Sequence, residues 1–127
     1  MNKKLLLSLG LSSMAFLTAC TNAIEPTKTK VFINDGAKQC FGGGVTKEQT
    51  AQKLKDDGIQ VYDSSCGKIQ GMMTIAVCGG PTLSINVHTI NSEDIKKAEM
   101  LGFKPVSTLR DGYLEGCKQR TAKPVTH

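Results

Sequence analysis

Five cysteines in 127 residues, at positions 20, 40, 66, 78 and 117, constrain this chain more than any other feature. A domain of this size buries a small core, and small cores are often stapled by disulfides or metals. Position 20 directly follows an apolar N-terminal stretch, so four cysteines remain for the fold: Cys40, Cys66, Cys78 and Cys117. An even set in an oxidising compartment reads as two disulfides with three possible connectivities. None of the spacings is C-x-x-C, which argues against a thioredoxin-like redox motif. The close paired spacing of a structural zinc site is missing too, and the histidines are His88 and the terminal His127. Stapling fits best, and no metal or other cofactor is implied. Thiol-redox or soft-metal handling is the alternative.

The leader has its own logic. Met1-Asn2-Lys3-Lys4 is a short basic start, and Leu5 to Phe16 is uncharged and mostly apolar. That run is shorter than the roughly 20 residues a bilayer span needs. Small residues and a cysteine follow, Leu17-Thr18-Ala19-Cys20, and the whole reads as an export signal to be kept out of fold reasoning. Leu17-Thr18-Ala19-Cys20 resembles the lipobox of bacterial lipoproteins. The resemblance covers residues 1–20 and implies removal of residues 1–19 and a diacylglycerol on Cys20. Thr21 stands where an aspartate would favour retention at the inner membrane. The resemblance therefore implies an outer-membrane anchor, on the periplasmic face rather than the cell surface. Several acyl chains attach firmly, because each buried CH₂ contributes about 0.8 kcal/mol.

Without Lys3 and Lys4 the net charge falls from +5 to +3. So mild an excess gives no footprint for nucleic acid. Residues 20–30 are polar with one proline and read as a lipidated tether; residues 119–127 read as a flexible tail. A single folded domain over 31–118 lies between them.

Within that domain Val31-Phe32-Ile33-Asn34 is β-prone. Thr46-Lys47-Glu48-Gln49 fits a capping box, Ala51 and Leu54 share a helical face, and Gly58 stops the helix. Ile59 to Tyr62 then alternates as a strand does. The same grammar returns. Leu83 to Ile90 alternates, Asn91 can cap a helix holding Ile95, Ala98 and Leu101, Gly102 ends it, and Phe103 to Val106 starts another strand. Aligning Gly58 with Gly102 sets Ala51 over Ile95, Leu54 over Ala98 and Ile59 over Phe103. Two such units give an α+β, ferredoxin-like β-α-β-β-α-β sheet with both helices on one face. Ser64 to Thr82 is extra, with Met72 to Cys78 expected as a strand of an inserted β-hairpin; Tyr113 to Cys117 is expected to return as an edge strand. Met72, Met73 and Met100 are expected in the core. The plan gathers Cys40, Cys66 and Cys78 at one end of the sheet. It favours Cys66–Cys78 with Cys40–Cys117, and next Cys40–Cys66 with Cys78–Cys117.

Chemistry is harder to find. Gly42, Gly43 and Gly44 before Thr46 could turn backbone N–H groups toward an anion at a helix start, or could simply let a disulfide loop turn tightly. They match neither G-x-G-x-x-G nor a P-loop. If the helices cover Ile85 and Val87, then Asn86 and His88 lie on the uncovered face near Tyr62, a set suited to a polar ligand or a protein. Spacing ties no Ser or Cys to His88 as a nucleophile–base pair, so catalysis has little support. The expected role is a membrane-anchored, disulfide-stabilised binding or structural module of the cell envelope, meeting an envelope protein or peptidoglycan. SPOR-type peptidoglycan-binding domains are similar to it in plan only.

Overall fold

The computed structural model describes Gly10 and residues 26–117. The leader, Cys20, Thr21 and the tail from residue 119 lie outside the described residues. The fold is α+β. Five strands, β1 (Lys28–Asn34), β2 (Val61–Ile69), β3 (Ser84–Asn91), β4 (Lys104–Pro105) and β5 (Tyr113–Glu115), form one sheet in the order β4-β1-β3-β2-β5. Each neighbouring pair is antiparallel. β1 starts earlier than its apolar run, because Lys28, Thr29 and Lys30 pair with Asn91, Ile90 and Thr89.

Helix α1 (Lys47–Asp56) begins where its capping box dictates. The Thr46 hydroxyl accepts from the Gln49 N–H at 3.1 Å, and Gln49 Oε1 accepts from the Thr46 N–H at 2.8 Å. It ends in a Schellman motif. Gly58, at φ +78°, donates to the Lys55 carbonyl, and Ile59 donates to that of Leu54. Helix α2 (Ile95–Met100) follows a 3₁₀ turn at Ser92–Asp94 and ends identically, with Gly102 at φ +96° donating to Glu99 and Phe103 donating to Ala98. The register that aligns Leu54 with Ala98 and Ile59 with Phe103 is therefore the register of two like caps. Asn91 opens the turn without a side-chain cap bond. Its side chain is used elsewhere, accepting from the Tyr62 hydroxyl at 2.9 Å.

Two clusters pack against opposite faces of the sheet. Val31, Leu54, Ile59, Ile90, Ala98 and Phe103 form the one beneath both helices. Phe32, Ile85 and Val87 form the other, covered by Ile69, Val106, Leu109 and Tyr113. The run Phe103 to Val106 yields the two-residue β4 and then a 3₁₀ turn, Val106–Thr108, whose Val106 serves that second cluster.

Three expectations need correction. Met72 to Cys78 is not a strand, and no inserted hairpin forms. β2 runs on to Lys68 along β3, and β5 takes β2 at Gly67–Ile69. The Met72 to Cys78 segment is held instead by Gln39, whose side chain bonds Ile75 and Val77. Met72, Met73 and Met100 are exposed rather than in the core. The bridges are Cys40–Cys78 and Cys66–Cys117, with Cα–Cα distances of 5.0 and 4.5 Å, which is neither of the favoured pairings. β5 beside β2 carries Cys117 to Cys66, where the Gly116 N–H donates to the Cys66 carbonyl at 2.8 Å. Cys78 is delivered to Cys40 by hydrogen bonds from the intervening loops. Among the described residues, no helix is long and apolar enough to cross a membrane.

Candidate functional site

The face expected to be open is closed. His88 and Asn86 alternate with Ile85 and Val87 on β3, but the helices cover the His88 side, while the 3₁₀ turn and Tyr113 cover the aliphatic side. His88 is 0% exposed and Asn86 2%. A polar residue on a covered face must find partners, and both do. The Asn86 amide donates to the Val45 carbonyl at 3.1 Å. His88 is bonded through both ring nitrogens, Nε2 to Thr50 Oγ1 and Nδ1 to Ser64 Oγ, each at 2.7 Å. Its ring also meets Phe103 edge-on at 5.9 Å.

Each hydroxyl can donate or accept, so a neutral imidazole is satisfied in either tautomer, one ring nitrogen donating and the other accepting. Thr50 Oγ1 also lies 3.2 Å from the Lys47 carbonyl and 3.4 Å from that of Thr46. Burial lowers the His88 pKa from 6.5 to about 4, outweighing Asp63 and Glu48, which raise it, while Lys55 lowers it further. Ser64 is thus a partner of His88 that spacing alone could not reveal. Its signal is register, since Ser64 faces His88 across the β2–β3 pair once β2 extends past Asp63. Tyr62 stands apart, at the far end of the sheet, bonded to Asn91 with Lys28 Nζ 4.2 Å above its ring.

A recess lies at the other end. α1 and α2 converge on Val31 and Ile90, leaving the region of Asp35, Ser84 and Asn86 roofed by the loop of residues 36–45. Beneath that roof is a cavity of about 820 Å³, whose walls include Asp35, Cys40, Cys66, Thr46, Asn86 and Cys117. Of the glycine-loop candidates, Gly42 and Thr46 line it. Gly42, Gly43 and Gly44 have φ of 67°, 78° and 89°, and Cys40 shares the left-handed conformation at 69° in the tight turn closed by Lys38 and Gly42. The Thr46 hydroxyl is already engaged with its own helix. Asp35 is buried, and its carboxylate accepts from the Ala37 N–H at 2.8 Å and the Ser84 hydroxyl at 2.6 Å. Lys38, Lys47 and Glu48 stand on the walls beside these neutral donors. The arrangement offers a mixed-charge, hydrogen-bonding recess held at both sides by a cystine, which suits reversible binding of a polar group.

One side of the recess is a loop platform tied together by Gln39. Gln39 Nε2 donates to the carbonyls of Ile75 and Pro81, both at 2.9 Å, and Gln39 Oε1 accepts from the Val77 N–H at 3.1 Å. Its backbone exchanges bonds with Gly79 and Gly80. Phe41, Met73, Ile75 and Val77 are carried on this platform with their side chains exposed. Nothing among protein families, characterised proteins or solved structures matches the chain.

Proposed function

We propose that this chain is a bacterial envelope lipoprotein, acylated at Cys20, whose folded part binds an envelope protein or peptidoglycan in the recess between its two cystines. The cavity of about 820 Å³ carries the reading, since a recess of that size suits a small ligand or an inserted polar segment. We read the plan as ferredoxin-like; the β4-β1-β3-β2 order and two helices packed into one cluster support that reading. The lipobox resemblance and Thr21 support an outer-membrane anchor, and we place the folded part on its periplasmic face.

β1 spans about 23 Å at 3.3 Å per residue. It begins near Asn91 and ends at Asn34, beside Asp35, so the recess lies a full strand length from the point where the chain joins the sheet. An anchor at Cys20 would leave the recess presented away from its attachment. The test is retention of the processed chain on purified sacculi and on detergent-solubilised envelope proteins. Val45→Trp, which fills the recess from its wall, should abolish retention, while Tyr62→Ala at the opposite end should leave it intact. Equal retention of all three forms sinks the recess as the site. Fatty-acid labelling that fails to mark Cys20 removes the anchor. A thiol-handling role is the second reading, favoured by Cys40, Cys66 and Cys117 all lining the recess. It requires that one bridge open under mild dithiol while the fold persists.

A further inference from the structure

The two bridges interleave along the chain, the first cysteine of the fold pairing with the third and the second with the fourth. An unfolded chain does not favour that result. The probability of closing a loop falls as about the 3/2 power of its length. Cys66 and Cys78 stand 12 residues apart, whereas the bridges of the fold join residues 38 and 51 apart. Cys66 therefore meets Cys78 about sixfold more often than Cys40 does, and about ninefold more often than it meets Cys117. Sequential appearance on export favours a different neighbour pair, Cys40 with Cys66. Each early choice consumes Cys66 in a bond the fold does not keep.

In the folded chain the choice is made next to Cys40. Gln39 holds the backbone on both sides of Cys78, through Ile75 and Val77 before it and Gly79, Gly80 and Pro81 after it. Five hydrogen bonds from one residue fix where the neighbouring cysteine's partner stands. Cys66 is meanwhile occupied by the end of β5.

We propose that this chain is a client of a thiol–disulfide isomerase, and that Gln39 is the positioning residue that selects Cys78 as the partner of Cys40. Where this happens rests on the export reading; the chemistry does not. A thiolate of the isomerase attacks Cys78 Sγ of a Cys66–Cys78 bridge, forming a mixed disulfide and releasing the Cys66 thiolate. The Cys40 thiolate then attacks Cys78 Sγ, forming Cys40–Cys78 and returning the isomerase thiolate, with no net electron transfer. Cys66 and Cys117 finally lose two protons and two electrons to a disulfide oxidant such as oxidised glutathione.

The full chain carrying Cys20→Ser is reduced, unfolded and returned to native buffer. It receives oxidised glutathione alone, or oxidised glutathione with a reduced disulfide isomerase. Acid-trapped samples are mapped as non-reduced peptides. Cys66–Cys78 should exceed Cys40–Cys78 about sixfold in the first trapped species. The isomerase should speed the change to Cys40–Cys78 with Cys66–Cys117 at least tenfold. Native pairs dominating the first trapped species overturn the proposal, as does an isomerase without effect. At equilibrium in mixed glutathione, Gln39→Ala should lower the ratio of Cys40–Cys78 to Cys66–Cys78 at least fivefold; an unchanged ratio removes the role of Gln39. If Gln39→Ala does not fold, Gln39→Glu, which keeps the acceptor for Val77 and loses both donors, gives the same readout. These results stand whether or not Cys20 is acylated.

Discussion

The half of the sheet around Val31 and Ile90 is held by packing: Leu54, Ala98, Ile59 and Phe103 come down from two like helix ends and are all but fully buried. The end around Asp35 and Ser84 is held by cystines and by hydrogen bonds of Gln39, Asp35 and Asn34, with a cavity on the face opposite the Ile85 cluster. The difference separates stability from recognition. Apolar packing needs no outside condition, but it leaves no room. Cystines hold loops open around a recess, and they make that end depend on an oxidising environment.

That contrast can be broken in order of effect. Cys66→Ser with Cys117→Ser removes a bridge between residues 51 apart, and the chain-entropy relation puts the loss at about 4 kcal/mol. Urea midpoints with and without reductant check it: reductant should shift the unsubstituted chain and leave a variant lacking all four cysteines unmoved. Leu54→Ala, in the packed half, should lose about 3 kcal/mol of stability whether or not reductant is present. A reductant-dependent loss there would blur the division between the two halves.

His88 joins the halves, since it touches Phe103 on one side and Ser64 and Thr50 on the other. Its folded pKa of about 4 lies below the unfolded 6.5, so the unfolded state takes the proton first. Stability should be flat above pH 6.5, fall as pH drops from there to about 4, and level off below. At about 1.4 kcal/mol per pH unit across that window, the loss is on the order of 3 kcal/mol. Urea titrations across that window measure it, and His88→Gln should flatten the slope. A His88 ring that titrates near 6.5 by NMR would contradict the network. The smallest effect belongs to Gly58→Ala, which forces a side chain to φ +78° and should destabilise by about 1 kcal/mol without touching the recess.

What was legible in the sequence was what the chain decides locally. Thr46, Gln49, Gly58 and Gly102 fix helix ends from within a few residues, and their register emerged as read. The alternation of β3 was legible, but its facing was not. Alternation separates two faces without saying which is wet, and here both are covered, with His88 and Asn86 satisfied by Thr50, Ser64 and Val45 from distant segments. The gathering of cysteines at one end followed from strand directions, while the pairing rests on Gln39 reaching across 36 to 42 positions of chain. Met72 to Cys78 has the composition of a strand, but it is held by the Gln39 side chain rather than by a sheet neighbour. The recess was not legible because its walls come from four separate stretches of chain that only the fold brings together.

The three methionines among the described residues, Met72, Met73 and Met100, are 57%, 98% and 88% exposed. Peroxide should therefore write on the outside of this molecule. Turning those thioethers into sulfoxides adds polarity to surface that water already reaches, and the branched aliphatics and phenylalanines beneath offer the reagent nothing to attack. A protein so arranged can be weathered without being unmade, and the tally of sulfoxides would record how harsh its surroundings have been.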